Sequence, residues 1–371
     1  MQNFIVIGAG ILGSSTAYHL AKAGANVTMI DQKGPGQATD AAAGIVCPWL
    51  SQRRNQAWYQ LAKNGARYYP SLVNSLEKDG EADTGYARVG AISIHQEKKK
   101  LEAMIERAIQ RREDAPEIGD IKLLNANQTK SLFPPLAEGY GAVHVSGAAR
   151  VDGRLLRDSL QRSAIKHGAN FIEGTAKIKL TNNKATGVLI NGDELAADTV
   201  IVTAGVWAKD LLKPLGVSFL VESQKAQIVH LKLPEQDTSE WPVVMPPNDQ
   251  YLLAFGDSRV VIGATHENNV GLDYRVTPGG LKEIFGKALH VAPGLSTSTF
   301  IEARVGFRPS TPGFLPVIGS LPTHEGVLIA NGLGSSGLTT GPYLGSELAK
   351  IAQGIPTEIN VDLYPVSGAL G

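Results

Sequence analysis

A single cysteine, Cys47, stands in 371 residues. One thiol excludes a disulfide within the chain and leaves no cysteine set for a structural zinc site. That usage fits a reducing compartment. Met1-Gln2-Asn3-Phe4 offers no basic leader, so a cytoplasmic setting is expected. An excess of charge is missing too. Lys plus Arg and Asp plus Glu each number 35, for a formal net charge of zero. A nucleic-acid partner demands a basic surface, so none is expected. Neutrality is compatible with a homo-oligomer, although no interface is legible. The run Lys98-Lys99-Lys100 opens a stretch of mixed sign and reads as a solvated helix face. Long apolar runs are absent as well. The stretch from Phe4 to Gly13 is too short for a bilayer and is interrupted by glycines, so no integral membrane segment is expected.

Glycine is what the chain has in excess: 41 of 371 residues, against about 7% in an average chain. Such backbone turns tightly or approaches a ligand closely. With 43% hydrophobic and 19% charged residues, the composition is that of a globular protein of about two to three domains.

Residues 1–50 read strand, turn, helix, strand. Phe4-Ile5-Val6-Ile7 has the continuous apolar character of a strand buried on both faces. Ile11 to Ala23 is a helix stopped by Gly24, and Val27 to Ile30 is a second strand. Further helices are predicted at 55–80, 98–112, 154–167 and from Leu338 to Gln353. Strands are predicted at 90–94, 199–203 and 327–330, with hairpin turns at Asn182-Asn183-Lys184 and Asn191-Gly192. Residues 217–300 read as strand-rich. Strand–helix–strand signals sit at both ends of the chain, so two interleaved domains fit better than two beads on a string.

Gly8-Ala9-Gly10-Ile11-Leu12-Gly13 matches G-x-G-x-x-G and lies where that motif belongs, after a strand and opening a helix. The first glycine permits the tight turn, the second the approach of a pyrophosphate, the third close packing of helix on strand. The helix N-terminus supplies unpaired N–H groups for phosphates. Asp31 closes the second strand, 18 positions after Gly13. A carboxylate there accepts ribose hydroxyls and repels a 2′-phosphate. An adenine dinucleotide is expected, NADP is disfavoured, and FAD and NAD both stay open on this motif. The small-residue run Ala38-Thr39-Asp40-Ala41-Ala42-Ala43-Gly44-Ile45 reads either as backbone wrapped on a long cofactor or as a loop. Near the C-terminus, Asn331-Gly332-Leu333-Gly334-Ser335-Ser336-Gly337-Leu338-Thr339-Thr340 again joins a strand to a helix. Its helix start would favour the negative charge of a reduced isoalloxazine.

Together with Ala204-Gly205-Val206-Trp207, Gly306-Phe307-Arg308-Pro309 and Pro316-Val317-Ile318-Gly319, these motifs occur in an order that resembles the D-amino acid oxidase superfamily. Within it the chain is most similar to the glycine oxidase, sarcosine oxidase and D-amino acid dehydrogenase branch. The similarity is strongest over the first 45 and last 70 residues and weak over 50–145. The fold class it implies is α/β, α+β overall. A Rossmann-like FAD-binding domain with a mixed parallel sheet comprises 1–85, 141–216 and 301–371. A smaller substrate domain with an antiparallel sheet and helices comprises 86–140 and 217–300. FAD contacts are implied at Gly8, Gly10, Ile11, Leu12, Gly13, Asp31 and Gln32. They continue at Thr39, Ala42, Ala43, Gly44, Ile45, Lys177, Ala204, Gly205 and Trp207, and at Gly332, Gly334, Ser335, Ser336, Gly337, Leu338 and Thr339. Arg308 is implied both at the flavin and as the grip on a substrate carboxylate, with Tyr251 beside it.

The resemblance further implies a small amino acid substrate (a D-amino acid, glycine or an N-methyl amino acid) and hydride removal from its α-carbon to flavin N5. The imine so formed hydrolyses, and oxygen or a quinone chain reoxidises the flavin. Three departures stand out. Leu333 lies where the family often has a histidine. Ser335 lies where glycine oxidase has a second arginine. No cysteine precedes the last strands, so FAD is expected to be noncovalent. Cys47 reads as small core packing, and His266, after Gly263-Ala264-Thr265, is a candidate to face the pocket. A flavin-dependent 2-hydroxy acid dehydrogenase, a non-catalytic flavin-binding subunit and an NAD-dependent dehydrogenase are the alternatives.

Overall fold

The computed structural model describes residues 2–371. Its first layer is a six-stranded sheet in the order Val317–Ser320, Val327–Asn331, Thr199–Val202, Asn3–Ile7, Asn26–Asp31, Asn170–Glu173. All neighbours are parallel except the edge strand Val317–Ser320. Period-two alternation sends Phe4 and Val6 to one face and Ile5 and Ile7 to the other. Phe4 and Val6 join the core made with helices Ile11–Lys22, Gly153–Lys166 and Gly337–Ala352. Ile5 and Ile7 pack with Ala176, Val188, Ile190 and Leu212. Several of those residues belong to a three-stranded antiparallel sheet, Ala176–Thr181, Lys184–Ile190 and Asp193–Ala196. Both predicted hairpin turns are there. Asn182 and Asn183 have φ of 51° and 60°, and Asn191 and Gly192 have 53° and 95°, as left-handed two-residue turns require.

Helices Ile11–Lys22 and Gly337–Ala352 pack side by side through glycine. A Cβ on Gly341 would lie 3.0 Å from Ile11 Cγ2, and one on Gly345 would lie 2.6 Å from Ser15 Cβ and 2.7 Å from the Leu12 oxygen. Moving four residues along one helix moves four along the other, so the two run parallel, with Gly337–Ala352 beginning about one turn earlier. Ser15 Oγ donates to the Pro342 oxygen at 2.6 Å.

The second layer is an eight-stranded sheet in the order Thr299–Ser310, Glu222–Lys232, Arg259–Gly263, Tyr251–Ala254, Val243–Met245, Ala91–His95, Gly141–Val145, Ile121–Leu124. Every pair is antiparallel except Val243–Met245 with Ala91–His95. The expected boundaries at 141 and 301 therefore fall at the start of one strand of this sheet and inside another. Residues 217–300 also hold a helix, Pro278–Val291, that the strand-rich reading passed over. Its signal was present: Thr277 caps it by accepting from Gly280 N–H, and Pro278 takes the first position. Among the described residues no helix is long and apolar enough to cross a membrane.

Candidate functional site

A cavity of about 880 Å³ opens where the C-terminal ends of the parallel strands meet the face of the eight-stranded sheet. Ligands of open α/β sheets bind at that end. The size lies toward the top of the range of about 300–1,000 Å³ for ligand pockets. The residues that follow four of the parallel strands, Gly8, Gln32, Thr203 and Gly332, all line it.

Gly8 has φ +97°, and a Cβ on it would stand 2.7 Å from Ala204 Cα and from the Thr203 oxygen. Only glycine lets the two strand ends approach this closely. Gly10, Ile11 and Leu12 line the cavity beside it. Gly13 stands behind them and does not line the cavity. A Cβ there would fall 1.9 Å from the Gly8 oxygen, so Gly13 seats the helix on the strand. Thr39 Oγ1 accepts from Ile11 N–H at 3.0 Å, occupying one of the donors the helix start leaves free. The Asp31 carboxylate accepts from Ala9 N–H at 2.7 Å, Lys33 N–H at 2.7 Å and Gln37 Nε2 at 2.9 Å. With about four acceptor sites on a carboxylate, it retains capacity for a hydroxyl.

The small-residue run is pinned rather than loose. A Cβ on Gly44, at φ +94°, would lie 1.8 Å from the Val151 oxygen, and Val151 N–H donates to the Gly44 oxygen at 2.9 Å. Ala42, Ala43, Gly44 and Ile45 thereby form one wall, with Lys177 of the three-stranded sheet on another. Ala204, Gly205 and Trp207 line the cavity after strand Thr199–Val202. Asn331 Nδ2 donates to the Gly205 oxygen at 2.8 Å, which joins this turn to the C-terminal loop. Gly332, at φ +83°, has no room for a side chain, since its Cβ would stand 2.0 Å from Thr311 Oγ1. Gly334, Ser335, Ser336, Gly337, Leu338 and Thr339 complete that wall. Because the two glycine-packed helices are parallel, Ile11 and Gly337 bring two helix N-termini to one cavity. Neither first turn holds an acidic residue, so both positive dipole ends are available to an anionic or electron-rich group.

Arg308 also lines the cavity. It lies across from Gln224 in the paired strands Thr299–Ser310 and Glu222–Lys232, and its Nη1 donates to Gln224 Oε1 at 2.9 Å. Among the described residues no carboxylate forms an ion pair with it. Burial draws its pKa below the ordinary guanidinium value, while Tyr251 beside it works in the other direction. The Tyr251 phenol is pushed up to about 12, chiefly by burial. Arg308 is therefore a cation and Tyr251 a neutral donor at pH 7, and both line the cavity. A guanidinium out of water without a counter-charge is unfavourable, and a planar carboxylate matches its fork.

His266 also lines the cavity, as its sequence position suggested. The sequence did not mark the Met245–Gln250 loop and Trp58, which line the cavity, or Gln224, which holds Arg308 from behind; Trp58 Nε1 donates to Ser336 Oγ at 3.0 Å. No motif marks these residues. Only Asn55, which caps the helix carrying Trp58, gave a local sign. Cys47 is buried and lines the wall, and burial pushes its thiol up to about 12, so it is an inert protonated group.

A dinucleotide fits this donor set: glycines where no Cβ is admitted, two helix starts, and a carboxylate at the end of the second strand. The family model for DAO, FAD-dependent oxidoreductase, matches residues 3–351. The chain belongs to the DAO family of FAD-dependent oxidoreductases. Within it, the chain is 62% identical over 371 residues to the uncharacterized oxidoreductase YurR of Bacillus subtilis, covering 100% of both. It is 27% identical to the glycine oxidase of Pseudomonas putida, again over 100% of both. The crystal structure of iminodiacetate oxidase from Chelativorans sp. BNC1 superposes with a TM-score of 0.95 at 47% identity, over 98% of each chain. FAD, the cofactor of this family, is a dinucleotide of the kind the donor set fits.

Proposed function

We propose that this DAO-family enzyme oxidises the C–N bond of a small amino acid: glycine, a D-amino acid or an N-substituted glycine. One observation carries the reading. Arg308, a half-buried cation with no carboxylate partner among the described residues, shares a cavity with the dinucleotide cradle. The names of the relatives agree with it, glycine oxidase at 27% identity and iminodiacetate oxidase at 47%. Bound FAD supplies a two-electron acceptor for hydride from the substrate α-carbon. The protein contributes position. Arg308 grips the carboxylate with two parallel hydrogen bonds, and Tyr251 adds a third donor. Gln224 holds the guanidinium plane. Fixing the carboxylate sets the direction of the Cα–H bond, and orientation alone is worth several kcal/mol. The only thiol is buried and protonated, in keeping with noncovalent FAD.

The test is anaerobic flavin reduction with glycine, sarcosine, iminodiacetate, D-alanine, D-proline and lactate. Amines are expected to bleach the flavin and lactate to leave it oxidised. Arg308→Met is expected to weaken amino acid binding about 100-fold. Bleaching by lactate alone would replace this reading with 2-hydroxy acid oxidation, and unchanged affinity in the variant would remove Arg308 from the substrate.

A further inference from the structure

Amino acids reach the site as ammonium ions, and hydride cannot leave a carbon whose nitrogen lone pair is tied up in a proton. Unless the small neutral-amine fraction binds directly, a group at the site takes that proton, and neither Arg308 nor Tyr251 can, the one being a cation and the other a neutral phenol. His266 and Asp249 both line the same cavity. His266 follows strand Arg259–Gly263, and Asp249 sits in the loop just before Tyr251. His266 Nδ1 lies 3.7 Å from Asp249 Oδ2. A carboxylate facing Nδ1 places the neutral ring's proton there and leaves Nε2, on the far edge, as an acceptor. Asp249 is itself anchored, since Lys287 Nζ donates to both its oxygens at 2.8 and 3.0 Å.

We propose that His266 is the proton acceptor for the substrate ammonium and that Asp249 is its positioning residue; this rests on the amine-oxidising reading above. In the step, the N–H bond of the ammonium breaks and its electron pair stays on nitrogen as the lone pair. The Nε2 lone pair forms the new N–H bond. The ring becomes imidazolium opposite the Asp249 carboxylate and returns the proton to water through its exposed edge. No electrons are gained or lost until hydride leaves the carbon.

The charged groups facing His266 are Arg308 from its strand, Asp249 from its loop, and Lys287 and Glu283 from helix Pro278–Val291. Burial and then Arg308 hold the imidazole below its usual pKa of 6.5, so it is neutral, and thus competent to accept, at pH 7. Apo catalytic contacts are often longer than those in the substrate complex, which accommodates the 3.7 Å separation.

The experiment compares wild-type and His266→Asn holoenzymes by the limiting rate of anaerobic flavin reduction with glycine or sarcosine from pH 6 to 10. At pH 7 the variant is expected to lose about 100-fold, the low end of general-base effects. Its rate should then climb tenfold per pH unit and approach wild type at alkaline pH, where the amine arrives deprotonated. Asp249→Asn should show a smaller loss of the same shape. Superimposable pH profiles would overturn the proposal while leaving the amine-oxidising reading intact. A wild type that no amino acid bleaches would overturn both.

A second readout needs no turnover and covers a variant that fails to hold FAD. The His266 ring of the wild-type holoenzyme is titrated by NMR with acetate or with 2-aminoisobutyrate, which lacks an α-hydrogen. Acetate neutralises Arg308 and should raise the ring pKa. The ammonium of 2-aminoisobutyrate, set against Nε2, should lower it. A shift of the same sign with both ligands would place His266 away from the amine and overturn the proposal.

Discussion

Arg308→Met should do opposite things to stability and to binding. The guanidinium is half-buried, meets no carboxylate among the described residues and has Gln224 as its hydrogen-bond partner. Replacing a fully buried ion pair by apolar side chains of similar volume is typically neutral or stabilising by about 1–4 kcal/mol, and a single half-buried charge stands at the low end of that range. Against this, Gln224 Oε1 loses its donor, at a cost of about 1 kcal/mol. The net expectation is a ligand-free variant about 0–2 kcal/mol more stable than wild type, with a Tm up to a few degrees higher. Carboxylate binding should move the other way. Truncating one partner of a buried charged hydrogen-bonded pair costs about 2–5 kcal/mol, and 3 kcal/mol is roughly a 100-fold loss of affinity. The assay is thermal unfolding of the FAD-loaded proteins with and without acetate, which cannot be oxidised here. At 100 times its Kd a ligand stabilises wild type by about 2.7 kcal/mol; the same concentration should leave the variant unmoved. If the variant proved markedly less stable than wild type and still gained stability from acetate, Arg308 would be a structural residue and the carboxylate argument would fail.

Gly345→Ala should push apart the two helices that open on the cavity, because its Cβ would lie 2.7 Å from the Leu12 oxygen. The expected loss is about 1–3 kcal/mol, read by chemical denaturation together with weaker FAD retention. Gly8→Ala combines φ +97° with backbone at 2.7 Å; it should lower the flavin content of purified protein more than Gly24→Ala, where the φ is also positive but nothing lies within 4 Å. Acid should destabilise the fold through two histidines. Burial lowers both His19 and His230 to about 4 from 6.5. Between those values the unfolded chain binds more protons than the folded one, so stability falls as pH drops from about 6.5 to about 4. Denaturation curves at pH 7 and 4.5 should show a smaller pH effect in His230→Gln than in wild type.

Local periodicity determined a good deal about this protein. Helix Lys98–Arg112 occupies the residues its pattern predicts, and Ile11–Lys22 and Gly337–Ala352 agree to within a residue or two at their ends. Their signals are complete within a few turns of chain: apolar spacing, a glycine stop, a turn residue that tolerates positive φ. The glycine-rich motif was legible for the same reason, since strand, turn, helix and acid lie within about thirty residues. Membership of an FAD-dependent family followed from the order of such motifs.

The substrate end was decided by tertiary structure. Gln224 reaches Arg308 across 84 positions of sequence, and Asp249 meets His266 only because the loop before one strand folds against the end of its neighbour. By contrast, Gly13 was legible: the motif gave the third glycine to the contact of helix on strand, and its Cβ would stand 1.9 Å from the Gly8 oxygen. The assignment of Gly141–Val145 to the eight-stranded sheet likewise depends on pairing with Ala91–His95 and Ile121–Leu124. Periodicity says that a segment is a strand and which side is apolar. The choice of partner strand, and hence which side chains share a cavity, is made by long-range burial that no short stretch of sequence encodes.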